Sequence, residues 1–125
     1  MQLKRVVITG LGAVTPLGNS VTDYWNNLIN GISGAAPITR FNAEKFKTRF
    51  ACEVKGFNAE DYFDKKEARK VDTFTHYGMA AAVQAIADSG IDSPGVDKNE
   101  VGVIWGSGIG GLDTFQHETF GFARG

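Results

Sequence analysis

Cysteine is almost missing from this chain. Cys52 stands alone, so no disulfide can form within the sequence, and a lone thiol fits a reducing compartment such as the cytoplasm. Histidine is scarce as well: His76 and His117 are the two, and neither has metal-ligand spacing to Cys52 or to an acidic residue. No metal and no cofactor is therefore expected. An excess of charge of one sign is also lacking. Thirteen Lys and Arg stand against 14 Asp and Glu, for a net charge of −1, which argues against a general nucleic-acid binder and against a polybasic membrane protein. No apolar run approaches the about 20 residues that a membrane span needs. The N-terminus lacks a signal-peptide layout, since Met1-Gln2-Leu3-Lys4-Arg5 leads into a short apolar run that ends at Gly10.

What is present is a globular pattern in 125 residues, 42% of them hydrophobic, with 16 glycines clustered at turns. Val6, Val7 and Ile8 are consecutive and apolar, as in a strand buried on both faces, and predict a strand over residues 3–9 with a loop over 10–19. Ser20 is placed to cap a helix over 21–30, with Asp23 in its first turn and Gly31 as its stop. Residues 32–58 read as an irregular excursion with a strand-like piece over 50–54, and 59–71 as one or two short helices. Asp72 should cap a long helix over 73–89 closed by Gly90. Its small residues, among them Ala80, Ala81 and Ala82, suit burial between layers. A loop over 91–99, a second strand over 101–105, a second Gly-rich loop over 106–111 and a last helix from about Leu112 complete the pass. Strands that leave into Gly-rich loops, with helices between, indicate an α/β fold. Two strands do not close a core, and three phenylalanines lie within the last eleven residues. The chain is thus expected to be the N-terminal part of a longer polypeptide.

The motifs carry little chemistry by themselves. Gly106-Ser107-Gly108-Ile109-Gly110-Gly111 fits G-x-G-x-x-G after a strand, yet the acidic residue that a dinucleotide fold needs about 20 residues on is absent. A tight turn with close backbone approach explains the glycines equally. Position 108, where a nucleophile elbow would place serine, is glycine. Cys52 sits among apolar and acidic neighbours that give its thiol no activation. The strongest charge cluster is Asp64-Lys65-Lys66-Glu67-Ala68-Arg69-Lys70, where i, i+3 and i, i+4 spacing gathers cations on one helical face. That face is either simply solvated or a docking patch for an anionic partner.

The opening run, Lys4-Arg5-Val6-Val7-Ile8-Thr9-Gly10-Leu11-Gly12-Ala13-Val14-Thr15-Pro16-Leu17-Gly18-Asn19, resembles the N-terminal signature of the β-ketoacyl-[acyl-carrier-protein] synthases, type II condensing enzymes above all. The basic segment through Val71-Asp72, the Tyr77-Gly78 and Asp88-Ser89-Gly90 pieces and the second Gly-rich loop extend the resemblance over essentially residues 1–125. It implies a thiolase fold, layered αβαβα, of which this chain holds the first part of the N-terminal half, and a homodimer. It implies an acyltransferase of fatty-acid synthesis that extends acyl chains by decarboxylating Claisen condensation with malonyl-carrier protein. The family's nucleophilic cysteine and two histidines belong to motifs that do not occur here, so no catalytic residue is carried over and the chain alone should be inactive. Two features do carry over. Ile109 matches a position lining the acyl pocket. Lys66, Arg69 and Lys70, with Lys65 beside them, match the patch that receives the acidic acyl carrier protein. A non-catalytic, chain-length-factor-like partner subunit of the same fold is the alternative, and a nucleotide-binding α/β module is the third reading.

Overall fold

A computed structural model of the chain describes residues 3–125. Four helices and one small antiparallel sheet follow in the order α1 (Val21–Ile29), β1 (Ala36–Pro37), β2 (Phe50–Ala51), α2 (Lys65–Ala68), α3 (Thr73–Ser89) and α4 (Leu112–Arg124), with 3₁₀ turns at Ala59–Asp61 and Lys98–Glu100.

Local capping chemistry sets the helix ends. In α1 the Ser20 hydroxyl accepts from the Asp23 amide at 3.1 Å and donates back to the Asp23 carboxylate at 2.8 Å, which satisfies an orphan donor of the first turn. Asn30 is the C-cap rather than the last helical residue, and Gly31 follows with φ 67°. In α3 Asp72 accepts from the Thr73 amide and Gly90 closes the helix in the left-handed region. Apart from the one residue at Asn30, these ends are the ones the sequence predicts.

The two predicted strands are not there. Residues 3–9 and 101–105 form no ladder; among the described residues the sheet consists of β1 and β2, in the register Ala36 opposite Ala51 and Pro37 opposite Phe50. A strand needs a hydrogen-bonded neighbour, and neither run has one. Their side chains stand in the open, with Val6 89% and Ile104 99% exposed. The strand-like piece over 50–54 shrinks to two residues, Phe50–Ala51, because the ladder runs no further than Ala36 opposite Ala51.

Helix α3 is the spine, though less enclosed than its small residues suggest. Ala80 is its one buried residue, while Phe74, Met79, Val83 and Ile86 are each at least 40% exposed. Small side chains permit close packing without guaranteeing a neighbour on every side. The closest packing lies where Gly10 and Gly12 meet the helix backbone. A Cβ at Gly12 would stand 2.8 Å from the Ala81 carbonyl carbon and 2.9 Å from the Ala85 nitrogen; one at Gly10 would stand 2.6 Å from the Ser89 nitrogen. Only glycine fits such an approach. It lets the Ala13 amide donate to Gln84 Oε1 at 3.1 Å and the Leu11 amide to the Asp88 carboxylate at 3.0 Å.

Candidate functional site

Both Gly-rich loops pack against α3, the second loop at Phe74 and Gly78 and the first from Ala81 to Ser89. A cavity of about 430 Å³ lies between them, walled by Ala13, Val14 and Thr15 on one side and Gly106 and Ser107 on the other, over Phe74 and Tyr77. A second, smaller cavity of about 200 Å³ is lined by apolar groups, among them Met79, Ala82, Val103 and Trp105. No carboxylate, imidazole or thiol lines either one. The phenol of Tyr77 accepts from Arg40 Nη2 at 2.8 Å, which anchors the excursion over 32–58 to α3. This arrangement can shape an apolar space. Its polar lining is the hydroxyls of Thr15, Tyr77 and Ser107, with no carboxylate or imidazole beside them to act as a general base.

Ile109 stands at the tip of the second loop, 76% exposed, and lines neither cavity. The basic cluster is one short helical turn, α2, with Arg69 as its C-cap. Lys65 pairs with Glu60 and Lys70 with Glu67, each at 3.8 Å. Lys66 and Arg69 form no ion pair among the described residues, so they are the cations most available to an anionic partner. His76 packs its ring against Phe63 and meets the Ala68 carbonyl through Nε2 at 2.8 Å, which ties α2 to α3. His117 lies on exposed α4, and Cys52 is exposed just beyond β2. Among the described residues no group of three or more metal-ligating side chains comes together, and no helix is long and apolar enough to cross a membrane.

Two carboxylates are tuned. The Thr39 hydroxyl, with the Thr39 and Arg40 amides, holds Glu53 below its ordinary value. Asp72 is lowered chiefly by the Thr114 hydroxyl, then by the Thr73 amide. The second role of Asp72, beyond capping α3, escapes a reading of the sequence because its partner lies 42 residues away. The hub formed by Gln84 escapes it too: its amide group donates to the Asn19 carbonyl at 2.8 Å and to the Tyr62 hydroxyl at 3.3 Å. The one available signal was a polar residue inside a run of small apolar ones.

The family profile described as "Beta-ketoacyl synthase, N-terminal domain" matches residues 3–121. The chain belongs to the β-ketoacyl synthase family. Its relatives within that family include the 3-oxoacyl-[acyl-carrier-protein] synthase 2 of Synechocystis sp., 45% identical over 118 residues, or 94% of this chain and 28% of the relative. The synthase of the same name from Staphylococcus aureus strain N315 is 47% identical over 92% of this chain, and that of Vibrio cholerae 47% over 93%; each alignment again takes in 28% of the relative. This β-ketoacyl synthase chain thus spans little more than a quarter of the length of those relatives. Among solved structures, the ishigamide ketosynthase/chain length factor superposes with a TM-score of 0.62 at 33% identity, over 77% of this chain and 23% of that one. The fold is therefore the thiolase-like α/β fold of the ketosynthases, and the Gly106–Gly111 loop belongs to that fold and not to a dinucleotide-binding one.

Proposed function

We propose that residues 1–125 are the N-terminal portion of a 3-oxoacyl-[acyl-carrier-protein] synthase, a cytoplasmic homodimer that elongates acyl chains in fatty-acid synthesis. The observation that carries this is 45–47% identity, over more than nine-tenths of the chain, to three synthases of that name. The uncovered apolar surface supports the domain reading. Exposed Val6, Ile8, Val103 and Ile104 suit inner strands awaiting neighbours, and exposed Phe115 and Phe122 suit a helix awaiting a covering layer.

In the reaction, an acyl group rests as a thioester on a cysteine of the complete enzyme. Malonyl-carrier protein loses CO₂ and yields a carbanion, which attacks the thioester carbonyl. A carbon–carbon bond forms, the carbon–sulfur bond breaks, and the thiolate leaves. None of those groups lies in residues 1–125, whose part is to bind and select. Lys66 and Arg69, flanked by Lys65 and Lys70, receive the acidic carrier protein, and Ile109 lines the acyl pocket. The test is condensation by the full-length protein on acyl- and malonyl-carrier protein, beside the 125-residue chain alone. Full-length turnover that is lost when the cysteines are alkylated is expected, with no turnover by the short chain. Turnover by the short chain that survives Cys52→Ala would overturn the assignment.

The likeness to a ketosynthase/chain length factor favours one second reading, a non-catalytic partner subunit. Acylation separates the two: a synthase takes a labelled acyl group onto cysteine, whereas a chain-length-factor-like subunit takes none.

A further inference from the structure

The second Gly-rich loop is held at both ends and free in its middle. At its front, the Trp105 ring lies over Gly78, close enough that a Cβ there would meet it at 2.7 Å. At its rear, the Phe74 ring covers Gly110, again with 2.7 Å to a would-be Cβ. Between them, a Cβ at Gly106 or Gly108 would meet nothing, and Ile109 projects into the open.

The rear end has one polar fastening as well. The N-cap of α4 is Gly111, which sits in the left-handed region and has no side chain to cap the first turn. The missing acceptor comes from the start of α3. Asp72 Oδ2 accepts from the Thr114 hydroxyl at 2.8 Å and the Thr114 amide at 3.2 Å, while Oδ1 accepts from the Thr73 amide at 2.7 Å. One half-buried carboxylate therefore caps two helices at once. Losing Oδ2 as an acceptor frees the start of α4, and the rear anchor of the loop shifts with it.

We propose that Asp72 is a positioning residue for acyl-chain selection, whose carboxylate latches the start of α4 to the start of α3 and so fixes the anchor of the loop that carries Ile109. This rests on the synthase reading and on Ile109 lining the pocket. Asp72 touches no substrate in this role; it acts through the loop. Its ionised form is the one the three donors favour, in line with the lowered pKa of the group.

The experiment compares Asp72→Asn, Thr114→Val and Thr114→Ser with wild type in the full-length protein, measuring kcat/KM against primers of increasing acyl length and KM for malonyl-carrier protein. Asp72→Asn and Thr114→Val should each change the ratio between long and short primers by about fivefold, the size of one lost cap expressed as a rate ratio. The KM for malonyl-carrier protein should stay within about twofold, because the docking patch is untouched. Thr114→Ser keeps the hydroxyl and should keep the wild-type ratio. An unchanged ratio in both Asp72→Asn and Thr114→Val, or losses equal at all lengths, overturns the role of Asp72 and leaves the synthase reading standing. A wild-type protein that condenses no primer of any length overturns both.

Discussion

Replacing Gly12 by alanine should damage the protein more than its single methyl group suggests. The added Cβ overlaps the Ala81 carbonyl oxygen and stands 2.8 Å from its carbon and 2.9 Å from the Ala85 nitrogen. These are the two ends of an i to i+4 hydrogen bond of α3, so the methyl wedges into the helix ladder and not against a yielding side chain. Ordinary contact begins at 3.4 Å, and the carbonyl oxygen lies nearer than the carbon, so the loop must withdraw by well over the roughly 0.6 Å that the carbon alone demands. Overpacking of this kind costs about 1–3 kcal/mol. Withdrawal also weakens the bonds from Ala13 to Gln84 and from Leu11 to Asp88, each worth about 0.5–1.5 kcal/mol, with the exposed Asp88 bond at the low end. The total is about 3 kcal/mol. At a slope of about 2 kcal/mol per molar urea, the unfolding midpoint of the full-length protein should fall by about 1.5 M. Gly108→Ala is the control, because its Cβ meets nothing, and it should shift the midpoint by less than about 0.3 M. Circular dichroism during urea titration reads both. Equal midpoints for Gly12→Ala and wild type would refute the close approach of loop and helix.

Three further outcomes are expected. Reversing Lys66, Arg69 and Lys70 to Glu should raise KM for carrier-linked substrate about tenfold at low salt and much less at high salt, at about 0.2–1 kcal/mol per exposed charge, with KM for a small thioester unchanged; equal effects on both substrates would remove the patch from docking. Ile109→Phe should abolish acylation by longer primers while retaining short ones, since overfilling a fitted pocket costs about 1–3 kcal/mol; a rate-against-length series that stays parallel to wild type would place Ile109 outside the pocket. The lowered pKa values of Asp72 and Glu53 make their contribution to stability complete above their ordinary values of 3.8 and 4.5 and progressively lost as pH falls through the lowered ones. Asp72→Asn and Glu53→Gln should therefore be less stable than wild type at pH 7, and thermal melts between about pH 5 and pH 2 should show a shallower acid loss; parallel curves would exclude both groups from it.

What the sequence made legible was chiefly local. The bounds of α3 follow from Asp72 and Gly90, and the start of α1 from Ser20, because a cap is a contact between residues a few positions apart. The runs over 3–9 and 101–105 read as strands but pair with nothing among the described residues, for the opposite reason. An apolar β-branched run reports a wish for burial, whereas a strand is a pairing with a distant segment that the run does not encode. The basic cluster was visible as charge, but the neutralising partner of Lys65 comes from the preceding 3₁₀ turn, which left Lys66 and Arg69 as the more available cations. Likewise the glycines of the opening motif could be read as turn formers. Their part in bringing loop backbone onto helix backbone needed the position of Ala81 and Ala85.

On the proposed reading, the division of labour along α3 lets a stretch without a nucleophile govern selectivity. One end of the helix, at Asp72 and Phe74, fixes the rear of the second loop. Its other half, at Gln84 and Asp88, fixes the first loop through the amides of Ala13 and Leu11. Each of these ties runs from a side chain of α3 or of its N-cap Asp72 to a loop or to the start of α4, so the loops take their positions from α3. A displacement of α3 by a fraction of an ångström is then felt on both walls of the cavity between the loops. Near-attack geometry tolerates little misplacement, and a misplacement of about 1 Å far from the chemistry can cost about a hundredfold in rate. Substitutions on the loop-facing side of α3 should accordingly be read first as changes in where the loops stand, and only second as losses of packing.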